Sequence, residues 1–161
     1  MLFDRMLYQA PGVQNINAEP ARSSIFSFAS EAAALAAAGS ADHGKRVISL
    51  DGKWFFRYTE NPDALTMADL TCDLKDQAQI NVPGAWTMQG YDKPHYTNVQ
   101  MPYSDIAPQV PKCNPTGIYQ RSFVLDKAQL QSRLLLHFED IMRDTRGLSF
   151  FYTKNKKWFA S

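Results

Sequence analysis

Apolar and polar positions alternate most clearly over Trp54, Phe56 and Tyr58, with Phe55 and Arg57 between them. A period of two marks a strand with one face buried. Val47-Ile48-Ser49-Leu50 leads into it through Asp51-Gly52, a strong turn pair. Gln79-Ile80-Asn81-Val82 predicts a second short strand. Ile118 to Leu125 predicts a third, where Tyr119, Arg121 and Phe123 alternate with Ile118, Gln120, Ser122 and Val124. Arg133 to Glu139 predicts a fourth, with Leu134, Leu136 and Phe138 on one face and His137 on the other. Ser149-Phe150-Phe151-Tyr152 and Lys157-Trp158-Phe159, around a turn at Thr153 to Lys156, predict a closing hairpin.

Helical signals are few. Ser30 to Gly39 predicts one short helix: Ser30 caps the first amides, Glu31 suits the positive end of the dipole, and Gly39 suits the C′ position. So short a helix is marginal alone and is expected to pack through Leu35. Asn61-Pro62-Asp63 turns the chain, and Ala64 to Leu70 allows one or two helical turns. Residues 1–28 show no sustained period; Pro11-Gly12 and Pro20 are turn signals. They read as a surface strap whose Ile25, Phe26 and Phe28 dock on a neighbour. Ala41 to Arg46 is a polar linker, with His43 an exposed loop histidine. The expected organisation is an arm, helix and linker over 1–46 and a β domain over 47–161. Many short strands and one short helix indicate an all-β sandwich.

Val82 to Tyr119 breaks both periods. Six of the nine prolines and four of the seven tyrosines lie there. Prolines so dense block helix and central strand alike. Loops beyond about 12–15 residues are usually functional or disordered, and disordered segments are poor in aromatics. Trp86, Tyr91, Tyr96, Tyr103 and Tyr119 therefore point to an ordered loop, stiffened by proline and pinned by rings. Trp86 reads as a buried anchor.

Composition adds exclusions. The 161 residues suffice for one domain with a core, and 45% hydrophobic with 20% charged is ordinary for a globular chain. A formal charge of +1 offers no electrostatic reason for nucleic acid or an anionic membrane as partner. No apolar run approaches the ~20 residues that span a bilayer. The opening Met1-Leu2-Phe3-Asp4-Arg5 has an acid where a secretory signal wants a basic region, so the expected location is cytoplasmic. Cys72 and Cys113, the only cysteines, are expected as reduced thiols, although a bridge between them stays open.

Candidate chemistry is sparse. Glu19, Glu31, Glu60 and Glu139 fall in an arm, a helix start, a turn and a strand end. Glu139-Asp140 is the closest carboxylate pair, but strand neighbours point to opposite faces. No C-x-x-C, histidine pair at helical spacing, G-x-S-x-G elbow or phosphate-binding glycine loop occurs. Lys154, Lys156 and Lys157 beside Tyr152 and Trp158 read as a solvated hairpin tip. No catalytic residue and no metal ligand is assigned.

One resemblance is specific. The run Val82-Pro83-Gly84-Ala85-Trp86-Thr87-Met88-Gln89-Gly90-Tyr91-Asp92-Lys93-Pro94-His95-Tyr96-Thr97-Asn98-Val99, with Asn114-Pro115-Thr116-Gly117-Ile118-Tyr119, resembles the amino-terminal sugar-binding domain of bacterial β-galactosidases of glycoside hydrolase family 2. The family pattern is close to V-P-x-x-W-x-M-x-G-Y-D-x-P-x-Y-T-N-V, then N-P-T-G-x-Y. Ser49 to Phe56 is similar to its S-L-N-G-x-W-x-F, and Tyr8 to Asn17 to its arm, W-E-N-P-x-x-x-x-x-N, which continues to an arginine; Arg22 could fill that place. Gln9 and Ala10 replace the arm's acid and asparagine. Between Phe138 and Trp158 residues have been added, and Asp140 stands where glycine is usual.

The resemblance implies a jelly-roll sandwich of the galactose-binding type, incomplete at its C-terminus. It implies part of a retaining enzyme that hydrolyses terminal β-galactosides such as lactose. The pattern continues past Ser161, and the expectation is a gene fragment, a broken frame or a short product. The chain alone is then inactive, because the family's two glutamates lie in a catalytic barrel that is this domain's missing partner. Asn98 matches the asparagine that hydrogen-bonds the galactosyl unit, with Tyr96 as a rigid neighbour. The family enzyme commonly uses Mg and Na, with most ligands outside this chain, and forms tetramers, so a homo-oligomer is open. The alternatives are a stand-alone carbohydrate-binding module and a non-functional truncation product.

Overall fold

A computed structural model describes residues 10, 12, 26–38, 47–93, 109, 111, 113–131, 133–138, 150–152 and 158–160. The chain divides into two compact units, Asn17–Leu50 on one hand and Met1–Ile16 with Asp51–Ser161 on the other.

In the smaller unit, helix α1 spans Glu31–Ala37. Ser30 Oγ accepts the Ala33 N–H at 3.2 Å, which satisfies one of the orphan amides of the first turn. Glu31 lies in that turn, as expected. Gly39 lies outside the described residues. Leu35, expected to pack, is instead 68% exposed. A face made almost wholly of alanine leaves it few large neighbours on its own helix. Residues 47–50 carry no strand.

The larger unit is built on an antiparallel sheet. Its strands are β1 (Gly52–Thr59), β2 (Gln79–Val82), β3 (Thr116–Arg121), β4 (Phe150–Tyr152) and β5 (Trp158–Ala160), in the order β2-β1-β3-β5-β4. β1 lies between β2 and β3, with Trp54 opposite Ile80 on β2 and Phe56 opposite Tyr119 on β3. Asp51-Gly52 does not form a hairpin turn; Gly52 opens β1. There the Arg121 guanidinium donates to the Asp51 carbonyl at 2.8 Å, holding the strand's start against β3.

Strand alternation sorts the side chains onto two faces. Trp54, Phe56, Tyr58, Ile80 and Tyr119 share one. Phe55, Arg57, Ile118 and Gln120 share the other. On the second face, buried Leu70, Leu74 and Ile118 form a cluster, with Phe55, Leu65 and Cys72 against it. Leu65 and Leu70 arrive there through a 3₁₀ turn at Pro62–Ala64 and helix α2, Met67–Thr71. Thr66 and Asp69 form a capping box at the start of α2. Asp69 also meets Arg57 of β1 at 3.0 Å. Gln120, only 2% exposed, accepts the Leu74 N–H at 2.7 Å and donates to the Cys72 carbonyl at 3.1 Å. Its amide thereby satisfies two backbone groups that burial would otherwise strand, each worth about 1–3 kcal/mol if left unmade.

Several expectations are corrected. Strand β3 ends at Arg121 instead of Leu125, and helix α3 follows at Lys127–Leu130. Asp126 caps α3 and Gln129 returns a bond to the cap, a box that diverts the chain from the strand. Residues 133–138 carry no strand; Leu134 and Leu135 are 43% and 52% exposed. An alternating pattern names a face but does not by itself supply a neighbouring strand. Among the described residues, α1 and α2 fall where a helix or helical turns were expected, and α3 is the addition. The closing hairpin is present as β4 and β5, which pair with each other and join β3 through β5. The larger unit is mostly β and antiparallel.

Candidate functional site

The long proline-rich segment leaves β2 at Val82 and rejoins the sheet at Thr116. Its entry stem begins with a cis Val82–Pro83 bond and forms a 3₁₀ turn over Trp86–Gln89. Gly90 ends that turn at φ 93°, in the left-handed region where a side chain would be strained, and its N–H donates to the Trp86 carbonyl. Asp92 also lies at positive φ, 55°, a region that aspartate tolerates better than most residues.

Rings hold the stem to the first face of the sheet. Trp86 meets Phe56 edge-on at 5.7 Å and Tyr58 at 6.0 Å. Tyr91 meets Phe56 at 4.7 Å, and Tyr119 closes on Phe56 at 4.9 Å and Trp54 at 6.5 Å. Such edge-to-face pairs contribute about 0.5–1.5 kcal/mol each beyond the area they bury. Gly117 on β3 makes the packing possible. A Cβ there would stand 2.3 Å from Trp86 Cζ3 and 2.5 Å from Phe56 Cε2.

A polar clamp acts beside the rings. β2 is an edge strand. Asn81 N–H donates to Gln89 Oε1 at 2.7 Å, and Gln89 Nε2 donates to the Asn81 carbonyl at 3.0 Å. One side-chain amide thus stands in for a neighbouring strand. The return stem is tied down too: Asn114 N–H donates to the Glu60 carbonyl at 3.0 Å.

Burial raises the Tyr119 phenol to about 12. Tyr58 is also raised, first by burial and then by the negative fields of Asp92, Glu60 and Cys113. Both phenols are neutral at pH 7, so they offer hydroxyl donors and no charge. Among the described residues, no three His, Cys, Asp or Glu side chains gather to hold a metal ion. Cys72 and Cys113 are free thiols.

Trp86, Tyr91 and Tyr119 are therefore the ring anchors that the sequence predicted. Trp86 keeps part of its surface accessible and is not fully buried. Asn98, Tyr96 and Tyr103 lie outside the described residues, as do His43, Glu19, Glu139 and Asp140. Glu31 and Glu60 are described, in α1 and just after β1. His137 is exposed, in the stretch 133–138 that carries no strand. Sequence reasoning missed Gln89 and Gln120. For Gln120 there was a signal, an amide on an apolar face of a strand; for Gln89 there was none.

Comparison with known proteins agrees with this architecture. The family described as "Glycosyl hydrolases family 2, sugar binding domain" matches residues 47–151. A β-galactosidase of Vibrio cholerae is 42% identical over 102 residues, 62% of this chain and 10% of that protein. Beta-galactosidase 2 of Enterobacter cloacae is 40% identical over 125 residues, 78% of this chain and 12% of its own length. A β-galactosidase of Erwinia tasmaniensis is 38% identical over 126 residues, with the same coverage of 78% and 12%. The chain spans about a tenth of the length of these relatives. The matched region takes in the ring-pinned stem and strands β1 to β3 beneath it, and the chain belongs to glycosyl hydrolases family 2 through its sugar-binding domain.

Proposed function

We propose that this chain is the first part of a β-galactosidase that removes terminal β-galactose from lactose-type substrates with retention, and that it lends one wall to the sugar site. The carrying observation is the doubly held stem, rings on one side and the Gln89 clamp on the other. A stem so fixed suits a loop that presents polar groups to a ligand. Asn98 is the proposed sugar contact. An amide both donates and accepts, so it reads a hydroxyl in either sense. Retention requires two carboxylates about 5–5.5 Å apart, and these are assigned to another part of the enzyme. The fold completes as a jelly roll of the galactose-binding type, and the location is the cytoplasm. The Mg and Na that the family enzyme commonly uses would be held mostly by residues outside this chain.

The test is made in an enzyme that carries this segment. Asn98→Ala is expected to lower kcat/KM for a chromogenic β-galactoside by about 5–150-fold, the loss of one hydrogen bond worth about 1–3 kcal/mol. An unchanged kcat/KM would leave Asn98 a scaffold residue. The 161-residue chain by itself is expected to hydrolyse nothing above a mock preparation; turnover would place a reacting carboxylate pair within it.

A further inference from the structure

We infer that Gln89 guards the β2 edge of the sheet, and that without it a second copy of this chain would add a strand there. The inference is independent of the proposed sugar contact. Gln77-Ala78-Gln79-Ile80-Asn81-Val82 carries no charged residue and no proline. Short uncharged segments of this kind pair with copies of themselves, and glutamine and asparagine ladders strengthen the pairing. Exposed edges are commonly blunted by charge, proline or a bulge. β2 has none of these: it reads Gln-Ile-Asn-Val, and its register against β1 runs unbroken. Among the described residues it is the last strand on its side of the sheet.

The register identifies the backbone groups at risk. The Phe56 N–H donates to the Ala78 carbonyl at 2.8 Å. Alternation along the ladder then turns Ile80 and Val82 toward β1, and Gln79 and Asn81 outward. Both outward residues are exposed. At Asn81, Gln89 takes the place of a neighbour. Its Oε1 accepts the Asn81 N–H at 2.7 Å and its Nε2 donates to the Asn81 carbonyl at 3.0 Å. This is the double exchange that an added strand would make in a hydrogen-bonded pair, so an incoming chain has to displace both bonds. Gly84 leaves room for the amide: a Cβ there would stand 3.0 Å from Gln89 Nε2 and 3.0 Å from the Asn81 carbonyl oxygen. The guard is also kept close to its post. Nε2 donates to the Ala85 carbonyl at 3.5 Å, at the start of the turn whose Trp86 meets Phe56.

The experiment compares the full 161-residue chain with Gln89→Ser, and with Gln89→Ser combined with Gln79→Pro. Serine loses the reach without adding apolar surface. Proline at position 79 removes an outward N–H and leaves the β1–β2 ladder intact. Hydrogen exchange of the Asn81 amide and sedimentation velocity over a concentration series are the two readouts. In dilute Gln89→Ser, the Asn81 amide is expected to exchange about tenfold faster, and the concentration at which the chain associates to fall about tenfold, each the equivalent of one hydrogen bond. At high concentration that amide is expected to regain protection. The added proline is expected to return association to the wild-type concentration. A clamp that serves the fold alone would speed exchange and leave association unchanged, and that result overturns the inference. Stronger association that Gln79→Pro fails to reverse overturns it too, because the contact would then lie on another surface. Should Gln89→Ser not fold, Gln89→Asn, which keeps the amide and shortens its reach, decides by the same two readouts.

Discussion

At residue 117 a missing side chain decides where a tryptophan can sit. Gly117 lies within β3, opposite Tyr58, and the Trp86 ring fills the space above it. Gly117→Ala would press a methyl group into two rings at 2.3 and 2.5 Å. Over-packing of this kind costs about 1–3 kcal/mol. The variant is expected to melt earlier, and its tryptophan emission to shift red as Trp86 leaves the sheet; an unshifted spectrum with an unchanged Tm would show that the rings yield without cost. The sequence could not announce this role. In a sequence, a glycine needed for close approach looks the same as one needed for a bend. Gln89 was equally silent, since nothing local distinguishes a clamping amide from a solvated one. Trp86, Tyr91 and Tyr119 were legible, because large rings in a proline-rich loop must pack somewhere.

At the scale of elements, the sequence was most reliable where local chemistry and packing agreed. Gln79–Val82 forms the strand its pattern predicts, and the Ser30 cap starts α1 as expected. It was least reliable where alternation did not become a strand, as over 133–138, or met a stronger local signal, as with Asp126 and Gln129 after β3. Helix α2 carries a prediction about acid. Asp69 is held below the usual carboxylate range, first by the Thr66 hydroxyl, then by the Thr66 N–H, and also by Arg57. A carboxyl with a lowered folded pKa adds stability that is present above its unfolded value and lost as pH falls through the folded one. The denaturation midpoint of the native chain should therefore fall below about pH 4 more steeply than that of Asp69→Asn. Parallel acid limbs would mean that the capping box survives protonation.

Taken as a whole, the molecule has a sheet with two ends that differ. At β2 the Gln89 amide occupies part of the edge. At β4 no further strand pairs among the described residues. An open edge is a template for pairing with another chain, and Val124, 89% exposed, and Met88 add apolar surface. The isolated chain is expected to associate, with an apparent mass that rises with concentration in sedimentation velocity. A sharp, reversible melt of a monomer, independent of concentration, would exclude this.

Strand order also sets a timetable. A ribosome releases β1, β2 and β3 first, and these can assemble as they emerge. The far side of β3 must wait for β5, which follows it in the chain, and β5 brings β4 with it. At about 5–20 residues per second, translation from the end of β3 to the end of β5 lasts about two to eight seconds. Throughout that interval the nascent sheet carries an unfilled slot beside β3, within reach of any chaperone or neighbouring polypeptide.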